Sequence, residues 1–476
     1  MLSYEARVSL TFLLVAALSA PWSLPVRGEE PPANDDLVRE LEDLREQAQD
    51  LLRRIEDGRT EKGGTEQTEE GEPTVEWTPF WGRQELDTAS PFRGVYDKPF
   101  LVGLWKRTHV GGYTEVEYHS FEDGIQGIPR GFRMHRTNLF LFTDIADRVR
   151  FGSELEFETE FEGAGNSSEI EVAVEMAFVD WRIFNELTLR GGAILVPLGR
   201  INVNHDGPVR ELTERPLVSR YVIPSTLTEA GIGAHGSVEP FETLALSYEA
   251  YLVNGFNILD ANGSLSAAIT EKEQLLREGR SSLGGDANDG VATTGRVAVE
   301  LLRPRSSDQG FASQDLQAEI GGSWHVGTYD ERGDNFLTIV AADAAVAYGI
   351  VSLEGEIALA DFSRDAFART SGVPDRYWGY YVQAAVGGMP QLLRESVPAL
   401  FDQPGAQVSF ALRFDWIDLD GDRGTVIEPG VTFRPVSDTV FKFSYRFAPN
   451  SFGVRGTPPT EEFDDEGFVF SLATYF

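Results

Sequence analysis

From about His109 to Phe476 the hydrophobic pattern has a period of two, and no other feature limits what this chain can fold into so strongly. Val149, Phe151, Leu155, Phe157 and Phe161 alternate with Arg150, Glu154, Glu156, Glu158 and Glu160. Successive side chains of a strand point to opposite faces, so this segment is apolar on one face and charged on the other. The next segment sets Ile170, Val172, Val174, Met176 and Phe178 against Glu169, Glu171 and Glu175. Val408, Phe410, Leu412, Phe414 and Trp416 oppose Gln407, Ser409, Arg413 and Asp415, while Phe441, Phe443, Tyr445 and Phe447 oppose Lys442, Ser444 and Arg446. The last segment puts Phe468, Phe470, Leu472 and Phe476 on one face and ends the chain on an aromatic residue.

Two adjoining strands with opposed acidic rows would pair poorly in a soluble sandwich, where each row meets its like across the ladder. A barrel with its apolar faces on lipid and its charged faces on a wide, water-filled lumen hydrates those rows instead. The fold class expected is therefore all-β, a transmembrane antiparallel β-barrel of about sixteen strands running from 109–120 to 467–476. An even number leaves both termini on the periplasmic side. Connection lengths alternate accordingly. Asp144 to Arg148, Arg182 to Glu186, Glu239 to Glu242 and Pro435 to Asp438 are short, as periplasmic turns are, whereas Leu198 to Glu229 and Asn254 to Gly290 are long. Met389 to Gly405 breaks the alternation, being long where a short turn is due.

The N-terminal region follows other periods. Arg7 followed by the apolar run Val8 to Ala20 reads as an export signal over residues 1–28, too short to span a bilayer and cut near Glu29. Leu37, Leu41, Leu44, Ala48, Leu51 and Ile55 recur at spacings of four and three, which predicts a coiled-coil helix over 35–57. Residues 58–99 read as an acidic linker and an aromatic-bearing periplasmic approach to the barrel at 100–476. A formal charge of -35 excludes duplex nucleic acid as a partner, because such binding needs clustered Lys and Arg. The chain has no Cys, which removes disulfides, thiolate catalysis and Cys-ligated zinc.

Motifs with chemical meaning elsewhere lack their context. Gly231, Gly233 and Gly236 have the G-x-G-x-x-G spacing, but no helix opens after them. They read as a small-residue strand approached closely by a loop or a neighbouring subunit. Asp418, Asp420 and Asp422 around Gly421 read as a hairpin turn rather than a calcium loop, and Glu461 to Glu466 as a solvated external loop. The six His residues, His205 and His325 among them, form no H-E-x-x-H pair, and no nucleophile elbow or P-loop is present. No enzyme, cofactor or metal is expected.

Several phrases, in their order and spacing, resemble the phosphate-selective porin O and P family over about residues 100–476. They are LRGGAILVPLGRINVNHDG, ERPLVSRYVIPSTLTEAGIGAHG, YLVNGFN, RFDWIDLD and the terminal FVFSLATYF. The resemblance implies a sixteen-stranded homotrimeric porin whose third external loop folds inward and narrows the channel. On the strand count above, that loop is Leu198 to Glu229, and it carries Arg200, His205, Asp206, Arg210, Glu211, Glu214, Arg215 and Arg220. The expected lumen face holds Glu154, Glu156, Glu158, Glu160, Glu171, Glu175 and Arg413. The family's anion preference rests on basic residues in the pore, whereas these rows are acidic and the loop's charges cancel.

The function expected is passive diffusion of small hydrophilic solutes or ions, including anions such as phosphate, across a bacterial outer membrane whose lipid surrounds the barrel. The competing reading is a structural envelope anchor whose N-terminal helix grips the cell wall. Trp378, Trp416, Tyr445 and Phe476 are expected to face lipid near the membrane interfaces.

Overall fold

The structure is a computed structural model. It describes residues 102–476 except 106, 122–129, 162–167, 242–243, 268, 270–273, 282, 284–289, 302–315, 404 and 449–465. The export signal, the heptad helix and the linker expected before the barrel lie outside the described residues.

Sixteen strands close on themselves. They are β2 (Thr108–Phe121), β3 (Gly131–Ala146), β4 (Val149–Phe161), β5 (Ser168–Phe184), β6 (Leu187–Leu195), β7 (Thr228–Phe241), β8 (Leu244–Val253), β9 (Ala292–Leu301), β10 (Gln317–Thr328), β11 (Phe336–Tyr348), β12 (Val351–Phe362), β13 (Arg376–Gly388), β14 (Gln407–Leu419), β15 (Asp422–Val436), β16 (Thr439–Arg446) and β17 (Gly467–Tyr475). Each is antiparallel to its neighbours in the chain, and β17 pairs with β2 in register from Gly467↔Phe121 to Tyr475↔Tyr113. A short additional strand, β1 (Val102–Trp105), pairs with the start of β2. Phe476 completes the seam by exchanging backbone hydrogen bonds with Gly112, at 3.0 and 2.9 Å. Closure leaves the ring no free edge, which is what allows a sheet to stand in a solvent that cannot hydrogen-bond.

The polarity of the ring is inverted relative to a soluble protein. Phe132, Ile170, Val172, Ile320, Phe410, Leu412, Phe443 and Phe468 stand exposed on the outside, with Phe132 74% accessible. Glu115, Glu154, Asp343, Glu356, Arg413, Glu428 and Lys442 are buried on the inside. Ring contacts tie outward aromatics together near the strand ends. Trp378 and Trp416 lie 4.3 Å apart, Tyr380 stacks on Trp416 at 5.9 Å, and Tyr445 meets Phe447 and Phe468 at 4.3 and 4.7 Å. All four aromatics expected to face lipid are on this outer surface, Phe476 being 51% exposed.

One face assignment is corrected. Met176 and Phe178 do not share the outer face with Ile170, Val172 and Val174, but are buried inside. The cause is a β-bulge, because Glu154 pairs with Met176 while Leu155 pairs with Val174, which leaves Glu175 as the extra residue. A bulge inserts one residue into the two-residue period, so the inward set switches from odd to even numbers at Glu175. A second bulge on β3, between Arg136 and Met134, does the same at His135.

The turns 147–148, 185–186, 349–350 and 437–438 at one end are two residues long. The connection 389–406 at that end is long, as read from the sequence, and holds two short helices, Gln391–Ser396 and Pro398–Phe401. Phe401 lies 5.1 Å from Phe433 on the outer wall, so this connection spreads over the barrel exterior. At the other end, Asp418 to Asp422 forms a hairpin in which Asp420 (φ +58°) and Gly421 (φ +109°) take the left-handed conformations that such a turn requires.

Candidate functional site: the inward loop and the lumen wall

The 32-residue connection between β6 and β7, residues 196–227, turns into the barrel and lies buried for most of its length. Its neck is a strand-like pairing, with the Val196 amide donating to the Leu227 carbonyl at 2.9 Å. Asn202 secures both sides of that neck. Its Nδ2 donates to the Val196 carbonyl at 2.7 Å and its Oδ1 accepts from the Leu227 amide at 2.9 Å. The chain enters the lumen through Gly199, whose φ of 72° and ψ of 171° belong to a region essentially reserved for glycine. Two single-turn helices follow, α1 (Arg200–Val203) and α2 (Leu217–Tyr221), the second started by Pro216, whose fixed φ suits a helix start.

Inside, the loop is held by two kinds of contact. Leu198, Ile201, Leu217, Val218, Tyr221, Val222 and Ile223 pack with Phe256, Ile258, Leu275 and Leu276 from the connection between β8 and β9, and against Leu337, Ile339, Ala360, Tyr377, Ile417 and Val426 on the inner faces of β11 to β15. That side of the lumen is therefore a dry hydrophobic core. Elsewhere the loop is polar and is docked on the wall by charge. Glu356 of β12 accepts from the Arg200 and Ile201 amides, while the Arg200 guanidinium lies 3.2 Å from Glu319 and 3.4 Å from Glu354. Lys442 donates to the Gly207 carbonyl at 2.6 Å, the Tyr475 hydroxyl to Asp206 at 3.1 Å, and Thr213 contacts Ser471 at 3.1 Å. Arg413 is clamped between Asp415 at 2.7 Å and Glu428 at 2.6 Å and donates to the Glu214 carbonyl at 2.7 Å. The Leu217 amide donates to Asp415 at 3.1 Å, and Ser409 to Glu211 at 2.5 Å.

All eight loop residues singled out in the sequence thus lie inside the barrel, but they divide into two sets. Arg200, His205, Asp206 and Arg210 are buried against the wall, Arg200 to 1% exposure, whereas Glu211, Glu214, Arg215 and Arg220 keep partial access to solvent. Burial, followed by the neighbouring Arg136 and Arg210 guanidiniums, pulls Arg215 down to about 10. It remains cationic at neutral pH, within reach of the Thr226 hydroxyl at 3.3 Å. Arg220 lies 3.8 Å from Glu214.

The acidic rows face inward as expected, yet they are not simply hydrated. Glu154 and Glu156 are buried, and Glu158 keeps 26% side-chain exposure. Glu171 pairs with Glu158 in register and so shares its face, while the side chain of Glu160 lies outside the described residues. Arg136 of β3 takes up much of this charge, 3.1 Å from Glu156 and 3.9 Å from Glu158. Asn138 Nδ2 donates to both Glu154 and Glu175, at 2.8 and 2.9 Å. Part of the acidic lining is therefore neutralised by wall side chains, while Glu158 keeps its access to solvent. On the opposite wall, Arg296 binds Asp343 through both terminal nitrogens, at 2.5 and 2.7 Å, and Glu319 at 3.1 Å. Arg136, Asn138, Arg296 and Lys442 carried no sequence signal beyond their place on alternating strands, since only closure of the ring gives each its partner.

Gly231 and Gly233 lie in β7, where an added Cβ would meet the Leu252 and Ala250 carbonyls of β8 at 2.4 and 2.1 Å. Within the chain, the close approach comes from the adjacent strand rather than from the inward loop.

No family model matches the chain. A protein of Aquifex aeolicus (strain VF5), described as an uncharacterized protein, is 29% identical over 294 residues, spanning 59% of this chain and 61% of its own length. Solved structures with a similar outline include Salmonella typhi OmpF in complex with daunomycin (10% identity, TM-score 0.47, covering 79% of this chain and all of that one). Pseudomonas putida OprB is similar at 11% identity and a TM-score of 0.44, over 78% of this chain and 94% of its own. An anion-selective porin from Comamonas acidovorans is similar at 12% identity and a TM-score of 0.41, over 78% and 99%.

Proposed function

We propose that this chain is an outer-membrane porin, a narrow passive channel for small hydrophilic ions and solutes. The observation that carries the reading is the inverted polarity of a closed sixteen-strand ring, with apolar side chains outside and charged ones inside. An apolar outer band with aromatics near the strand ends suits lipid, and a polar lumen has no use in a soluble barrel of this size. Export, assembly as a homotrimer and the location that follows belong to the same reading. Contact of residues 35–57 with the cell wall is part of the proposal as well.

The inward loop makes the passage restrictive. Solvent-accessible charge inside is mixed, with Arg133 (16% side-chain exposure) and Arg220 (29%) beside Glu158 (26%) and Glu214 (17%). A constriction lined by both signs focuses a weak net field, so selectivity between anions and cations is modest. Passage of phosphate would depend on Arg133, Arg215 and Arg220. Swelling of liposomes containing the purified protein tests the reading. Uptake should fall steeply with solute size, and liposomes as tight as protein-free ones in every solute would refute it.

A further inference from the structure

Buried in the lumen, three side chains converge from separate parts of the chain, with Arg215 linked to them through the Thr226 hydroxyl. Glu154 comes from β4, Glu175 from the bulge of β5 and His205 from the inward loop, and one donor atom from each lies within 4.8 Å of the other two. Glu175 faces inward by its alternation with the outward Val174, and the bulge lets Met176 face inward beside it. His205 is 0% exposed and Glu175 4% exposed.

The imidazole is oriented as a ligand. Its Nδ1 lies 2.9 Å from the Asn202 carbonyl, a group that only accepts, so Nδ1 carries the proton and donates it. In the neutral ring this leaves Nε2 with its lone pair, and Nε2 points at Glu175 Oε2, 3.1 Å away. Two lone pairs at that distance repel, so either the ring is an imidazolium that donates Nε2–H to Glu175 or a cation lies between them. An Nδ1–H bound to a backbone carbonyl, with Nε2 facing carboxylates, is the arrangement that fixes metal-binding histidines. Asn138 Nδ2 bridges the carboxylates, donating to Glu154 Oε1 and to the same Glu175 Oε2 that faces His205, and Thr226 donates to Glu175 Oε1 at 3.2 Å. Asp206 Oδ1, 3.8 Å from Nε2, is the nearest further oxygen.

We propose that Glu154, Glu175 and His205 form a site for one divalent first-row transition cation, which pins the inward loop to the wall at β4 and β5. One imidazole and two carboxylates suit zinc, cobalt or manganese, and the ion's charge neutralises the two carboxylates. A second lumen cluster, Glu115, Glu117 and His135, has a similar spread of donors. There Glu117 is bound by Arg133 at 2.6 Å and Glu115 by Lys442 at 3.5 Å, so cationic side chains already occupy the place of an ion. It serves as the internal control.

The test uses the full chain in detergent micelles, stripped with chelator and titrated with Zn2+ alone at pH 7.5 by equilibrium dialysis, with correct folding checked by heat-modifiable migration on gels. One Zn2+ per chain is expected. His205→Ala and Glu175→Gln should each weaken binding at least tenfold, and His135→Ala should leave it unchanged. Should the loop variants fail to fold, wild-type chain loaded with Co2+ still decides the matter, because nitrogen and oxygen ligation in a low-symmetry site gives an intense visible band. Absence of saturable binding in the wild type would overturn the proposal and leave His205 as an imidazolium paired with Glu175. Binding lost in His135→Ala but kept in His205→Ala would overturn it as well.

Discussion

Replacing Arg413 with Met would cut the charge network that holds the inward loop at its centre. The Arg413 side chain is 4% exposed and lies between two carboxylates, Asp415 and Glu428, each with a fully buried side chain, at 2.7 and 2.6 Å. Its third bond goes to the Glu214 carbonyl of the loop, and Asp415 in turn accepts from the Leu217 amide. Met retains most of the volume, so the loss is chiefly electrostatic. Removing one partner of a buried pair leaves uncompensated charge and costs about 3–5 kcal/mol, which is roughly two to three and a half powers of ten in the folding equilibrium. Reversible urea unfolding from lipid vesicles, followed by tryptophan fluorescence, reads this directly. Adding Glu428→Gln to Arg413→Met should restore a measurable part of the stability, because one orphaned charge is then removed. A destabilisation under about 1 kcal/mol for Arg413→Met alone would refute the view that these charges are excluded from lumen water, since solvated pairs are worth no more than that.

Other expectations follow from single positions. Gly199→Ala should destabilise by about 1–3 kcal/mol in the same assay, because φ of 72° with ψ of 171° suits glycine alone and an added Cβ would meet Glu356 at 2.7 Å. In planar bilayers Arg133→Ala and Arg220→Ala should shift the reversal potential in a salt gradient toward cations, whereas Arg210→Ala, which alters a buried group, should shift it less. The carboxyl of Asp365 is held below the usual range by the Ala368 amide it caps, so this cap is intact above the ordinary carboxylate pKa and is lost as pH falls below it. Asp365→Ala should therefore loosen the external helix Ala366–Thr370 by about 1 kcal/mol, seen as faster amide exchange there at neutral pH. Trp378→Phe should reduce quenching of tryptophan fluorescence by brominated lipid if its ring faces acyl chains.

The strand count was legible because alternation survives over long runs, and each of the sixteen segments read from the sequence corresponds to one strand of the ring. Where that reading failed, the period itself was interrupted. The bulges at His135 and Glu175 each insert one residue, and a template of two cannot register them, which is why Met176 and Phe178 were assigned to the wrong face. The position of the inward loop was legible from its length and its place in the order of strands. Its packing was not, because Leu217, Val218 and Ile223 find their partners on β11 to β15, more than a hundred residues away in sequence. Lumen acids such as Glu154 and Glu156 could be placed inside, but Arg136 and Asn138, which bind them, stand out only once β3 lies beside β4.

Single-channel recording from planar bilayers tests the central claim most directly, that this inverted ring is a conducting pore narrowed from within by residues 196–227. Discrete, ohmic steps are expected, with weak ion selectivity and with a larger mean conductance in Arg413→Met, where the loop loses its hold on β14. A protein that inserts and migrates as a folded barrel, yet yields no steps in either form, would contradict the account.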